Sequence, residues 1–93
     1  MNTNSELLKS TDTVIVDVRT PAEYMEGHLA QSINIPLNEI QDRLGEFKAM
    51  QPIILCCASG IRSNKATNFL KQNGIECQDG GSWLDMQNKI NQQ

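Results

Sequence analysis

A chain of 93 residues, 39% hydrophobic and 20% charged, is sized for one domain over residues 1–93 and is too apolar to be a disordered segment. Its formal net charge of −3 excludes a basic field for nucleic acid, and no apolar run approaches the roughly 20 residues of a membrane helix. The first residues lack the basic head and apolar stretch of a secretory signal, so a cytoplasmic protein without membrane or nucleic-acid partners is expected.

Residues 1–11 are polar around Leu7 and Leu8 and read as a frayed terminus or a short docking helix. From Thr13 to Val18 a β-branched, nearly continuous apolar run predicts a buried strand of a parallel sheet. Thr20, Pro21 and Glu23 then form a capping box with proline at the first helical position, and Gly27 stops that short helix. Ser32–Ile35 reads as a second strand ended by Pro36. Asn38 is placed to cap the next helix, whose Ile40, Leu44 and Phe47 share a face.

A third strand is expected from Pro52 to Cys57, with proline at the first position, where no ladder donor is needed. After a glycine-containing turn, a helix from about Ser63 to Asn73 carries Ala66, Phe69 and Leu70 as a stripe and ends at Gly74. Ile75–Asp79 is a weak last strand. Beyond Gly80-Gly81, Ser82 can cap a final helix with Trp83, Met86 and Ile90 on one side. Strands alternating with helices across short loops imply an α/β fold. The expected form is an open, mostly parallel sheet of four to five strands with helices on both faces. Ligands of such sheets bind at the carboxyl ends of the strands, which is where Cys57 falls.

The three cysteines, Cys56, Cys57 and Cys77, do not suit a disulfide framework. Neighbouring Cα atoms about 3.8 Å apart lie below the usual disulfide range, so a Cys56–Cys57 bridge would be strained. One histidine and no Cys-x-x-Cys pair argue against structural zinc. Reduced thiols remain, and Cys57 has the surroundings of a reactive one. Cys57-Ala58-Ser59-Gly60-Ile61-Arg62-Ser63 joins a strand to a helix, so its backbone N–H groups can curl inward as an anion nest. The following helix adds its free donors, and Arg62 a permanent cation. All three favour thiolate over thiol. Cys56, one step back, should point to the opposite face as a core residue, and Cys77 reads as packing.

In these stretches the sequence resembles the rhodanese family of sulfurtransferases. The likeness runs through Asp17-Val18-Arg19, Glu23-Tyr24, Gly27-His28-Leu29 and Ser32-Ile33-Asn34-Ile35-Pro36. It continues in the Cys57–Ser63 loop and in Gly80-Gly81 with Trp83 close behind. The resemblance implies that Cys57 takes a sulfane sulfur from a donor such as thiosulfate or another persulfide and holds it as a persulfide. The sulfur then passes to a thiol, cyanide or a protein acceptor. Ala58, Ser59, Gly60, Ile61 and Arg62 would hold the persulfide anion, with no metal or organic cofactor. Asp17 and Arg19 are expected to pair structurally near the loop, His28 to be a hydrogen-bonded scaffold residue, and Trp83 to belong to the core. With Arg62 its one charged residue, the loop suits a protein persulfide or small-thiol donor better than thiosulfate. The segment before Val14 looks short for the family, so a first strand there is expected to be reduced or absent.

Two other readings stand beside this one. Cys56 and Arg62 have the five intervening residues of a cysteine phosphatase, whereas Cys57 and Arg62 are one short of it. A domain this small could also be a sulfur carrier or binding module, loaded by one partner and unloaded by another.

Overall fold

The computed structural model describes residues 12–91, so the expectations for residues 1–11 and for a strand before Val14 lie largely outside the described residues. Four strands, β1 (Val14–Asp17), β2 (Ser32–Asn34), β3 (Ile53–Cys57) and β4 (Cys77–Ser82), form one all-parallel sheet in the order β2-β1-β3-β4. The helices are α1 (Pro21–Glu26), α2 (Leu44–Ala49), α3 (Ile61–Gln72) and α4 (Trp83–Asn91). The chain runs from β1 outward to β2 and returns to place β3 on the other flank of β1. The strand order therefore reverses between β1 and β3, and open parallel sheets bind ligands outside the carboxyl ends of strands at such a point.

Alternation along the strands divides the interior into two layers. Val16, Val18, Ile53, Leu55 and Cys57 face one side and pack with Phe47, Ala66 and Leu70 from α2 and α3. Ile15, Ile54 and Cys56 face the other and pack with Leu29 and with Met86 of α4. All five residues of β3 are buried, as befits a central parallel strand covered on both faces. Truncating one of its aliphatic side chains to alanine costs about 2–5 kcal/mol.

The predicted start of α1 is realised in full. Glu23 N–H donates to Thr20 Oγ1 at 3.2 Å, and Glu23 Oε1 accepts from Thr20 N–H at 3.1 Å. Three other boundaries differ from expectation. The helix expected after Asn38 is instead two 3-10 turns, Leu37–Glu39 and Gln41–Arg43, followed by α2, and Asn38 caps nothing. Leu37 and Ile40, three residues apart, suit a three-residue turn, and Arg43 is held between Glu39 at 3.2 Å and Glu46 at 2.8 Å. The helix after the loop starts at Ile61, two residues early, because Gly60 takes a φ of 101° that lets the chain turn sharply into it. The last strand begins later and runs through both glycines. Leu55 pairs with Asp79 but Cys56 with Gly81, so Gly80 is the extra residue of a bulge. A Cβ on Gly80 would stand 2.5 Å from Met86 Sδ and 2.7 Å from Ile54 Cγ2, so only glycine fits.

Candidate active site

The site is built on β3 and the turn that follows it. Parallel pairing with β1 and β4 fixes Cys57 as the last strand residue, and α3 starts four residues later. The Cys57 sulfur turns toward that turn and receives Gly60 N–H at 3.0 Å and Ser63 N–H at 3.3 Å. Ser63 Oγ lies 3.5 Å from the same sulfur. Burial pushes the Cys57 thiol up. Hydrogen bonds from the Ser63 hydroxyl and from the N–H groups of Ser63, Gly60 and Ser59 outweigh it and hold the thiol below its ordinary value. Backbone donors therefore do much of what the nest was expected to do.

Of the loop residues singled out in the sequence, Ser59 and Gly60 aim N–H groups at the sulfur. Ala58 is exposed on the turn. Ile61 opens α3 and is 66% exposed. Arg62, whose charge interacts with Cys57, also has a partner the sequence did not indicate. Its guanidinium forms a bidentate pair with Glu23 of α1, Nη1 to Oε1 at 2.6 Å and Nη2 to Oε2 at 2.9 Å. The Arg62 pair holds the Glu23 carboxyl down at about 2. Its charge is thus engaged across the site mouth, and the short-range donors to sulfur are backbone and Ser63 groups. An open pocket of about 420 Å³ borders the loop, lined by Ser59, Gly60, Ile61, Asn64, Lys65 and Asp79.

Asp17 and Arg19 pair as expected and are both buried. Arg19 Nε lies 3.0 Å from each Asp17 carboxylate oxygen, and Nη2 lies 2.8 Å from Oδ2 and 2.6 Å from Gly27 O. The guanidinium also lies over the Trp83 ring, 5.0 Å from its centroid, while half-buried Trp83 packs on the Met86 layer. Asn34 Nδ2 donates to the carbonyls of Asp17 and Arg19, both at 2.9 Å. These contacts lock the turn between β1 and α1, on which Glu23 stands. His28 is a scaffold residue: its Nδ1 lies 2.6 Å from Tyr24 O, which only accepts, and its ring stacks on Tyr24 at 3.6 Å.

Cys56 points into the opposite layer, fully buried, and burial together with the Asp17 charge pushes its thiol far up. The phosphatase spacing therefore counts from a sulfur on the wrong face of the strand. Cys77 packs beneath α3, its sulfur 3.6 Å from Thr67 O, and burial raises its thiol. Two site features went unread in the sequence, the Glu23–Arg62 clamp and Asp79. The carboxylate of Asp79 lies 2.7 Å from Ser63 Oγ. Only the pairing of β4 beside β3 brings it there, and no local pattern encodes that.

Comparison with known proteins gives a consistent picture. The rhodanese-like domain matches residues 2–84. The chain is 37% identical over 79 residues to the thiosulfate sulfurtransferase GlpE of Pseudoalteromonas translucida, covering 82% of this chain and 75% of that protein. It is also 37% identical over 60 residues to the uncharacterized protein YqhL of Bacillus subtilis, covering 64% of this chain but 48% of the longer protein, under two thirds of its length. Among solved structures, a rhodanese-like domain protein from Staphylococcus aureus superposes with a TM-score of 0.70 at 37% identity, covering 83% of this chain and 78% of that one.

Proposed function

The chain belongs to the rhodanese-like domain family, and from that premise we propose that it transfers sulfane sulfur through a persulfide on Cys57. The observation that carries the reading is the Cys57 sulfur itself, the acceptor of Gly60 and Ser63 N–H groups at the end of a central strand. In the first step the thiolate attacks the outer sulfur of the donor. A new S–S bond forms on Cys57, the donor's bond breaks, and its electron pair leaves with the sulfite or thiolate released. In the second step a thiolate, cyanide or a protein thiol attacks the outer sulfur, and Cys57 departs as thiolate into the same donors. Fixed N–H groups need no reorganisation as charge returns to the sulfur.

The Glu23–Arg62 clamp bears on the donor. A dianion such as thiosulfate must compete with an ionised Glu23 for the guanidinium, whereas a persulfide of a small thiol or of a protein relies less on that cation. A low-charge persulfide is therefore the favoured donor. One observation supports the carrier reading as a variant of the same chemistry: Cys57 exposes no surface, so a partner that opens the loop would exchange sulfur faster than free small molecules.

The test is direct. Reduced protein is incubated with thiosulfate or with a small-molecule persulfide, and intact mass is measured. One added sulfur atom is expected, mapped to Cys57 and removed by reductant or cyanide. Absence of the adduct with every donor overturns the proposal.

A further inference from the structure

Ser63 is fully buried, and its hydroxyl lies within reach of three groups that can each accept its hydrogen. Asp79 Oδ1 is 2.7 Å from Ser63 Oγ, Gly60 O is 3.1 Å away and the Cys57 sulfur 3.5 Å. A hydroxyl has one hydrogen, so only one neighbour accepts it at a time. The short contact to the carboxylate is the stronger, charge-assisted one. With the hydrogen there, Ser63 Oγ shows the sulfur a lone pair and accepts from the thiol S–H. Once Cys57 ionises, the thiolate becomes a second anion competing for the same hydrogen. Asp79 is supported if it loses that contest. Its Oδ1 also accepts Gly81 N–H at 2.9 Å, Asn64 Nδ2 is 3.5 Å from Oδ2, and the carboxylate borders the open pocket.

We propose that Asp79 is a positioning residue for Cys57 that acts through Ser63: carboxylate and sulfur compete for one hydroxyl proton, and the outcome sets how readily the thiol ionises. On ionisation the S–H bond breaks and its proton passes to water. The hydroxyl hydrogen turns from Oδ1 to the sulfur, so Ser63 and Asp79 keep their protonation states. The other charged groups around Cys57 form a fixed background. Asp17 is paired with Arg19 on β1, and Glu23 of α1 is paired with Arg62 of α3. Lys65 of α3 lines the pocket, and Cys56 on β3 and Cys77 on β4 are thiols raised by burial.

The inference rests on Cys57 as the nucleophile, but its readout is ionisation and needs no sulfur donor. A protein that titrates as expected yet never loads sulfur would count against the proposed function alone. In the full chain, alkylation of Cys57 by iodoacetamide is followed against pH and located by peptide mass spectrometry. It is compared in the unaltered protein, Asp79→Asn, Ser63→Ala and the double variant. Asparagine keeps the oxygen that Gly81 N–H and the Ser63 hydroxyl share, so it spares the strand and removes only the charge that strengthens the Ser63 contact. Asp79→Asn should move the Cys57 midpoint down by about one to two pH units, the worth of one hydrogen bond to a charged group. In the Ser63→Ala background the same change should move it far less. Equal shifts in both backgrounds would mean charge acting through space and would overturn the proposal, as would no shift or an upward one. Should a variant fail to fold, the isotope-labelled carboxyl resonance of Asp79 in the unaltered protein decides. An inflection at the Cys57 midpoint is expected, and a flat trace overturns the proposal.

Discussion

Cys56 and Cys57 follow one another along β3, and neither exposes any surface, yet their thiols are driven in opposite directions. Desolvation resists ionisation of both. Around Cys57 it is countered by N–H groups whose positive ends face the sulfur, and by the Ser63 hydroxyl, which can turn its hydrogen to the sulfur once the thiol ionises. Around Cys56 the neighbours are charges rather than donors. Its Cα partner on β1 is Asp17, whose carboxylate adds to the burial effect, and Arg19 only partly offsets it. The pair shows that position along a strand decides little about a buried thiol's chemistry. The face decides, because only one face meets the unpaired donors of a strand-to-helix turn.

The most severe way to break this comparison is to exchange the sulfurs for oxygen. Cys57→Ser should abolish sulfur loading altogether, since a hydroxyl forms no persulfide. Cys56→Ser should load normally while losing about 1–3 kcal/mol of stability from burying a hydroxyl without a partner. Intact mass after donor treatment and urea unfolding check the two halves. The reverse dependence would place the nucleophile on the other face. Next in size is the charge pair on the Cys56 side. Asp17→Ala leaves Arg19 buried without its carboxylate and should cost about 3–5 kcal/mol in urea unfolding. The protein that remains folded should still load Cys57. A cost under about 1 kcal/mol would mean that the contacts of Arg19 to Gly27 O and the Trp83 ring suffice to hold it.

Much of this arrangement was legible in the chain because it is local. The capping box at Thr20–Glu23, the alternation of β3 and the nest after Cys57 are each encoded within a few residues. The opposite facing of Cys56 followed from strand periodicity alone. What was not legible depends on residues brought together by topology. Glu23 meets Arg62 across 39 positions, and Asp79 meets Ser63 across 16. The late start of β4 belongs here too. Gly80 and Gly81 argue against a strand on propensity, and pairing with β3 overrides it. Arg62 is the instructive case: its place in the loop suggested a cation for the sulfur, and only topology supplies its second partner, Glu23 on α1.

A smaller effect tests how far Arg62 is withdrawn from the site. Glu23→Gln keeps an oxygen for Thr20 N–H but removes the charge that occupies the guanidinium. Both side chains are about one-third exposed, and such pairs are worth about 0.2–1 kcal/mol. Freeing Arg62 should therefore raise the loading rate from thiosulfate by up to about fivefold, with little change for a low-charge persulfide. Equal changes for both donors would show that the clamp shapes the loop rather than selecting the donor.

The smallest expected effect is also the sharpest for the two cysteines, because their ionisations oppose each other in stability. In the unfolded chain both titrate near the ordinary thiol value of 9.0. The Cys57 midpoint is depressed in the fold, so its contribution is fully present above that value and is lost as pH falls through the folded midpoint. Cys56 is raised, so its contribution is present below 9.0 and is lost as pH climbs above it. Cys77 acts in the same sense as Cys56. Stability therefore rises with pH below 9.0 through Cys57 and falls above 9.0 through Cys56 and Cys77, each worth about 1.4 kcal/mol per unit of separation. Removing Cys57 as serine should abolish the rise below 9.0 in stability from urea unfolding and leave the decline above 9.0 unchanged. Removing Cys56 as alanine should make the decline above 9.0 shallower and leave the rise below 9.0 in place. The three proteins differ only at the two thiol positions, so the differences between the curves isolate the thiols. Parallel curves would show that the two sulfurs ionise alike in the fold, and the distinction between the faces of β3 would be lost.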